Sequence, residues 1–101
     1  MKIYSIYDSK ADLWQAPFTQ SSRGECLRNF ETFANDPQSN LSKYGADFNL
    51  FEIGEFDVRS GVTTIYEAKI SLGTALEFKK LPHESVARSI SEMKETLHQS
   101  M

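Results

Sequence analysis

Residues 22–37 hold the strongest helix signal in this chain, because they contain both a start and a stop. Ser22 and Glu25 form a capping-box pattern, in which the Ser side chain accepts from the amide three residues on and the Glu side chain reaches back. Pro37 disfavours helical geometry in the residue before it, so the helix has to end there. The pattern predicts one main helix over residues 23–35.

Apolar side chains inside this helix recur at spacings of four and three, which places them on one helical face. We expect that face to point inward; its members are Cys26, Phe30 and Phe33, with Leu27 and Ala34 beside them. Cys26 is the one cysteine of the chain, so no intrachain disulfide can form. A free cysteine within a helical apolar face is interpreted as a small core residue.

Three other segments have the composition of β-strands: residues 2–7, 48–56 and 62–70. The first two carry apolar residues in both parities, which favours strands that are covered on both faces or, for residues 2–7, an inner strand. In residues 48–56 the last change of parity predicts a bulge near Gly54-Glu55. Gly61 closes the loop between the last two, because glycine readily adopts a positive φ. The predicted fold class is α+β, with a small antiparallel sheet formed by strand 2–7 and the 48–70 hairpin.

Residues 8–22 are predicted to form a loop, with a brief helical turn near residues 11–15, because Pro17 blocks a longer helix. Trp14 and Phe18 are large aromatic side chains within it. They either pin the loop to the core or remain exposed as contacts for a base or a partner. Both alternatives stay open at the level of the sequence.

A second amphipathic pattern follows residue 80. We therefore divide the chain into a domain at residues 1–80 and a C-terminal segment at residues 81–101, in which we predict an amphipathic helix over about 83–99. A narrow stripe at spacings of four, three and four contains Val86, Ile90, Met93 and Leu97. Such a stripe lies against its own domain or pairs with a copy of itself. Because one helix covers only one face of a sheet, we expect a homodimer with these four residues in the interface.

Known catalytic and metal-binding patterns are missing from the sequence. Its two histidines, His83 and His98, have no partners at metal-ligand spacing, and no nucleophile elbow or glycine-rich phosphate loop occurs. Glu52 and Glu55 are interpreted as solvated charges at a strand edge. We therefore expect no enzyme, no cofactor, no metal and no membrane span.

The net charge of −3 argues against binding nucleic acid through bulk electrostatics. The distribution is uneven: residues 44–68 hold five acids and one Arg, whereas residues 69–82 hold three Lys and one Glu. The acidic segment would repel phosphates, so a nucleic-acid surface has to lie elsewhere.

An ordered set of short motifs resembles the small nonstructural protein of gokushovirus-type microviruses, the product of their fifth open reading frame. The resemblance covers residues 1 to about 78 and consists of Tyr7-Asp8-x-Lys10-Ala11, Pro17-Phe18, Arg28-Asn29-Phe30, Asn35-Asp36-Pro37, Phe51-x-Ile53-Gly54-x-Phe56-Asp57 and Gly61. These viruses are tailless phages with circular single-stranded DNA. The resemblance implies a nonstructural accessory protein in the cytoplasm of the infected bacterium.

Within that resemblance, the implied role lies in the replication, synthesis or packaging of single-stranded DNA. Direct binding would use cations beside stacking aromatics, and the candidates are Lys10, Trp14, Phe18, Arg23, Arg28 and Lys43. The alternative is an oligomeric adaptor that contacts the replication initiator, the procapsid or a host factor without binding DNA.

Overall fold

The computed structural model describes residues 1–80 of the chain. The elements in chain order are β1 (Lys2–Asp8), β2 (Leu13–Trp14), β3 (Phe18–Gln20), α1 (Arg23–Ala34), α2 (Asn40–Lys43), a 3-10 turn (Gly45–Asp47), β4 (Phe48–Phe56), β5 (Thr63–Thr74) and α3 (Ala75–Phe78). The predicted α+β class with an antiparallel sheet is confirmed. The predicted helix at 83–99, with Val86, Ile90, Met93 and Leu97, lies outside the described residues.

All pairings in the sheet are antiparallel, and the strand order is β2-β1-β4-β5, with β3 also paired to β1. β1 is therefore an inner strand, which was one of the two alternatives that its apolar pattern left open. Register shifts occur at Ile3/Tyr4 where β1 pairs with β4, and at Leu50/Phe51 and Glu52/Gly54 where β4 pairs with β5. These shifts explain the change of apolar parity seen in the sequence near Gly54.

The start of α1 follows the predicted cap only in part. The Ser22 side chain accepts a hydrogen bond from the amide of Glu25 at 3.2 Å. The Glu25 carboxylate accepts from the Ser21 hydroxyl. Ser22 is therefore the N-cap of a helix that begins at Arg23, and it satisfies the Glu25 amide, one of the free amides of the first turn.

The inward face of α1 is centred on Phe30, and its buried residues are Cys26, Phe30 and Ala34. Two of the three predicted inward residues are thus confirmed. Phe33 is wrong, because it is 55% exposed. Successive helical residues are 100° apart, so Phe33 falls about 60° from the Phe30 direction and lies on the flank of the helix.

The prediction of a loop in residues 8–22 is only partly right, because β2 and β3 lie within it, and the helical turn near residues 11–15 is wrong. The chain runs back once along the free edge of β1 in two short stretches, which pair Trp14 with Tyr7 and then Phe18 with Tyr4. The helical turn does not form because β1 offers an unpaired edge whose backbone groups bind these residues instead. Pro17, which has no amide hydrogen, lies in the gap between β2 and β3.

One apolar core lies between α1 and the facing side of the sheet. Its buried members are Tyr4, Ile6, Cys26, Phe30, Ala34, Phe48, Leu50 and Ala75. The Phe30 ring meets the Phe78 ring edge-on, with centroids 5.4 Å apart, so α3 closes one end of this core. Within residues 1–80, no helix is both long and apolar enough to cross a membrane.

Candidate functional site

The sheet has a second side, facing away from α1, which we name the outer face. Strand alternation places Tyr7 of β1 and Phe51 of β4 there, opposite in direction to the core residues Tyr4 and Leu50. The Trp14 ring lies between them, 4.9 Å from the Tyr7 ring and 5.0 Å from the Phe51 ring, centroid to centroid. Trp14 nevertheless remains 44% exposed, so part of its ring is open to solvent.

A cation completes this aromatic group. The ammonium of Lys69, from β5, lies 5.3 Å from the centroid of the Trp14 ring, within the range of a cation–π contact. Lys69 itself is exposed, so its charge also faces the solvent. The outer face therefore presents a flat aromatic group with a positive charge beside it.

Trp14 is held firmly by the backbone around it. The amide of Gln15 donates to the Ile6 carbonyl at 2.8 Å, and the Ser5 hydroxyl donates to the Gln15 carbonyl at 2.7 Å. The Tyr7 hydroxyl donates to Asp12 in the preceding turn. These bonds fix the chain on both sides of Trp14, and the contacts with the Tyr7 and Phe51 rings then orient its side chain.

Only some of the predicted binding residues share this surface. Trp14 is on the outer face, and Lys10 lies in the turn between β1 and β2, where the Asp8 carboxylate accepts from its amide at 3.0 Å. Phe18 is on the opposite side, with its ring 5.9 Å from the Tyr4 ring and packed against the core. Trp14 and Phe18, both proposed for one binding site, therefore lie on opposite sides of the sheet.

The other three predicted cations lie on the helical layer, away from Trp14. Arg28 is exposed on α1 and Lys43 ends α2. Arg23 is occupied by an ion pair with Glu52, in which its Nη2 atom lies 2.9 Å from Oε1 and its Nε donates to the same oxygen at 3.0 Å.

Glu52 corrects the interpretation of this acid as a solvated edge charge. It is 2% exposed, and its second carboxylate oxygen accepts from the Tyr66 hydroxyl at 2.8 Å. Glu52 has the same parity in β4 as the core residue Leu50, so its side chain points into the domain, where a buried charge needs these partners. Glu55, three residues on, is exposed and pairs with Lys2.

The neighbouring Cys26 thiol is unsuited to nucleophilic chemistry. Burial, followed by the charge of Glu52, raises the pKa of Cys26 to about 11. The reactive thiolate is therefore scarce near neutral pH. Among residues 1–80, no group of three or more His, Cys, Asp or Glu side chains is placed to hold a metal ion.

Sequence reasoning missed Tyr7, Phe51 and Lys69 as members of the surface. The signal that could have found Lys69 is the basic stretch at residues 69–82, of which it is the first residue. Its contact with Trp14 could not be inferred, because it depends on the order of the strands and on a register shift in β5.

Comparison with known proteins agrees with the resemblance drawn from the sequence. Residues 1–78 match the family described as Phage ORF5 protein. No curated protein and no solved structure matches the chain. The matched segment spans every strand of the sheet and ends with α3. The chain therefore belongs to the phage ORF5 protein family.

Proposed function

We propose that this phage protein is a nonstructural accessory factor in single-stranded DNA replication, synthesis or packaging, and that it binds single-stranded DNA on the outer face. The observation that carries the proposal is the half-exposed Trp14 ring with Lys69 above it. Sequence-independent single-strand sites combine a stacking aromatic with a nearby cation. The protein would act in the cytoplasm of the infected bacterium.

The Lys69 ammonium lies over the Trp14 ring, so a base would stack there once the flexible Lys69 side chain has turned aside to meet a phosphate. Stacking on one aromatic side chain contributes about 1–3 kcal/mol per base and tolerates any base. Tyr7 and Phe51 support the Trp14 ring from the sheet side, so the ring is ordered before the base arrives. Lys69 and the exposed Lys10 are the cations available for phosphate oxygens.

The low number of cations predicts weak binding with a shallow salt dependence. For single strands the logarithm of affinity falls with the logarithm of salt by about 0.7 per phosphate neutralised. With Lys10 and Lys69 engaged, the slope is expected to be about −1 to −2. This value separates the outer face from a strongly basic binding groove.

The experiment is a fluorescence-anisotropy titration of a labelled oligothymidylate at several salt concentrations. Trp14→Ala should weaken binding by about 5- to 150-fold, which corresponds to the loss of one stacked base. Lys69→Ala should reduce the salt slope by about 0.7. Phe33→Ala is the matched control, because Phe33 is also an exposed aromatic but lies on the helical side.

Two outcomes would contradict the proposal. One is an absence of binding at low salt by the folded full-length chain. The other is binding that Trp14→Ala and Phe33→Ala weaken equally, since that would place the site off the outer face. Circular dichroism of each variant has to show native secondary structure before its affinity is interpreted.

A second candidate function is an oligomeric adaptor for phage replication or capsid proteins. It is favoured by a different observation, the exposed apolar side chains of β5 at the sheet edge. A folded, dimeric protein that binds no oligonucleotide at low salt would support this candidate instead.

A further inference from the structure

An apolar groove lies on the helical side of the sheet, between α1, α2 and β3, and we name it the side groove. Its volume is about 210 Å³, and six of its eight lining residues are apolar. These six are Ile6, Phe18, Cys26, Phe30, Phe33 and Leu41. Cys26 and Phe30 form its floor, since they are 1% and 3% exposed, whereas Phe33 at its rim is 55% exposed. A groove of this kind is typical of surfaces that bind the apolar face of a helix.

The described part of the chain ends next to this groove. The Lys80 amide donates to the side-chain oxygen of Asn35 at 2.7 Å, and the Lys80 ammonium lies 3.1 Å from the Glu31 carboxylate. Asn35 is the C-cap of α1 and follows Phe33 of the groove by two residues. Residues 81–101 therefore continue from a fixed point at the C-terminal end of α1.

The length of the following segment matches the distance to the groove and the length of the groove. A helix is about 10–12 Å across, and residues 81–85 extend over about 16 Å, so they are long enough to pass round the end of α1. The predicted helix after them carries the stripe Val86, Ile90, Met93 and Leu97. Its rise from Val86 to Met93 is about 10 Å, the same as that of α1 over residues 26–33, which line the groove.

We propose that residues 83–99 dock as an amphipathic helix in the side groove of their own domain, antiparallel to α1, with Val86, Ile90 and Met93 against its apolar lining. The antiparallel direction follows from the start of the segment at the C-terminal end of α1. Anchors at spacings of four and three are the usual pattern of a helix in an apolar groove. Docking there leaves the outer face free, so the proposal is independent of nucleic-acid binding.

The sequence allows two partners for the stripe, its own domain or a second copy, and the position of Lys80 favours its own domain. A short tether holds a segment at an effective concentration of about 1 mM. At about 10–30 µM protein, the groove of a second copy is offered at a concentration about 30- to 100-fold lower. With an intrinsic dissociation constant of about 0.1 mM, the tether keeps about ten docked molecules for each undocked one.

The first test measures how fast a small disulfide reagent modifies a thiol at the rim of the groove in the full-length chain. Asn29→Cys places the thiol on the rim, and Arg28→Cys places the control thiol on α1 away from the groove. Both positions are exposed within residues 1–80, so without docking the two rates, each divided by its rate in urea, should be similar. With docking, the Asn29→Cys thiol should react about tenfold more slowly. The buried Cys26 is retained, so the floor of the groove stays intact.

The second test removes the protection from the side of the C-terminal segment. Ile90→Glu should restore fast modification of the Asn29→Cys thiol, because a carboxylate is strongly disfavoured in an apolar groove. Arg88→Glu is the matched control, since it introduces the same group about 160° round the predicted helix and should leave the protection unchanged. Protection within one chain should also be the same at about 1 µM and about 100 µM protein.

Equal normalised rates for the Asn29→Cys and Arg28→Cys thiols would overturn the proposal, as would protection that Ile90→Glu leaves intact. Protection that disappears on dilution would also overturn it, because the segment would then lie on a second copy, as in the homodimer expected from the sequence. If Asn29→Cys does not fold, Gln20→Cys on the β3 side of the groove decides. A Gln20→Cys thiol whose rate Ile90→Glu does not raise refutes the docking.

Discussion

Replacing Phe30 by Ala should remove a large part of the stability of this domain. Phe30 is 3% exposed, and burying such a side chain contributes about 1.5–3 kcal/mol. Its edge-on contact with Phe78 adds about 0.5–1.5 kcal/mol, and the cavity left behind adds a further cost. The expected loss is about 3–5 kcal/mol in the free energy of unfolding.

Phe33→Ala is the matched control on the same helix. Phe33 is 55% exposed, so it loses less buried area and leaves no closed cavity; the expected loss is about 1 kcal/mol or less. Urea unfolding followed by Trp14 fluorescence gives both values. Trp14 lies on the other side of the sheet, so it reports global unfolding rather than the local change.

A domain of this size has a total stability of about 4–12 kcal/mol. If the protein lies at the lower end of this range, the loss caused by Phe30→Ala is enough to unfold it. Phe30→Leu, which retains most of the volume, provides a milder variant that can be measured. Equal losses for Phe30→Ala and Phe33→Ala, or a loss below about 1 kcal/mol for Phe30→Ala, would refute the assignment of the buried face.

Three further outcomes are expected. Arg23→Ala should cost about 2–3 kcal/mol in a urea titration because it leaves the buried Glu52 carboxylate with Tyr66 alone, whereas Arg28→Ala should be nearly neutral. The pKa of Cys26 is about 11 in the folded protein, above the ordinary thiol value of 9.0. The resulting stabilisation is complete below about pH 9 and declines as the pH rises toward 11. Cys26→Ala should flatten this decline, which urea unfolding at about pH 8 and about pH 10.5 would measure. Gly73→Ala should cost about 1–3 kcal/mol by thermal unfolding because Gly73 has a φ of 119°, and an unchanged melting temperature would argue against that backbone.

Local signals predicted α1, β1, β4 and the start of β5 well, but not β2 and β3. The bounds predicted for the strand at 48–56 are those of β4, and the capping residue of α1 is Ser22 as expected. These features depend on side chains that act on backbone groups only a few residues away, so the sequence contains what is needed to find them. The returning strand extends to Thr74 because Gly73 forms a bulge rather than an end.

Features that depend on distant pairing were not predictable in this way. The partner of Glu52 is Arg23, 29 residues away in the chain, so the acid looked like a surface charge. The separation of Trp14 from Phe18 follows from their registers on β1, where Tyr7 and Tyr4 point to opposite faces. A candidate surface assembled from sequence proximity alone therefore mixed residues from both sides of the sheet.

The inner position of β1 also determines the order in which the sheet can form. β1 is made first, but its pairing with β4 joins groups as far apart as Met1 and Phe56, which are 55 residues apart in the chain. On the ribosome β1 can at first pair only with β2 and β3, and its other edge waits for β4 to emerge. Such long-range strand pairing makes folding slow for a small domain and leaves that edge exposed to wrong partners. The short return of β2 and β3 along β1 thus acts as an early local partner during synthesis.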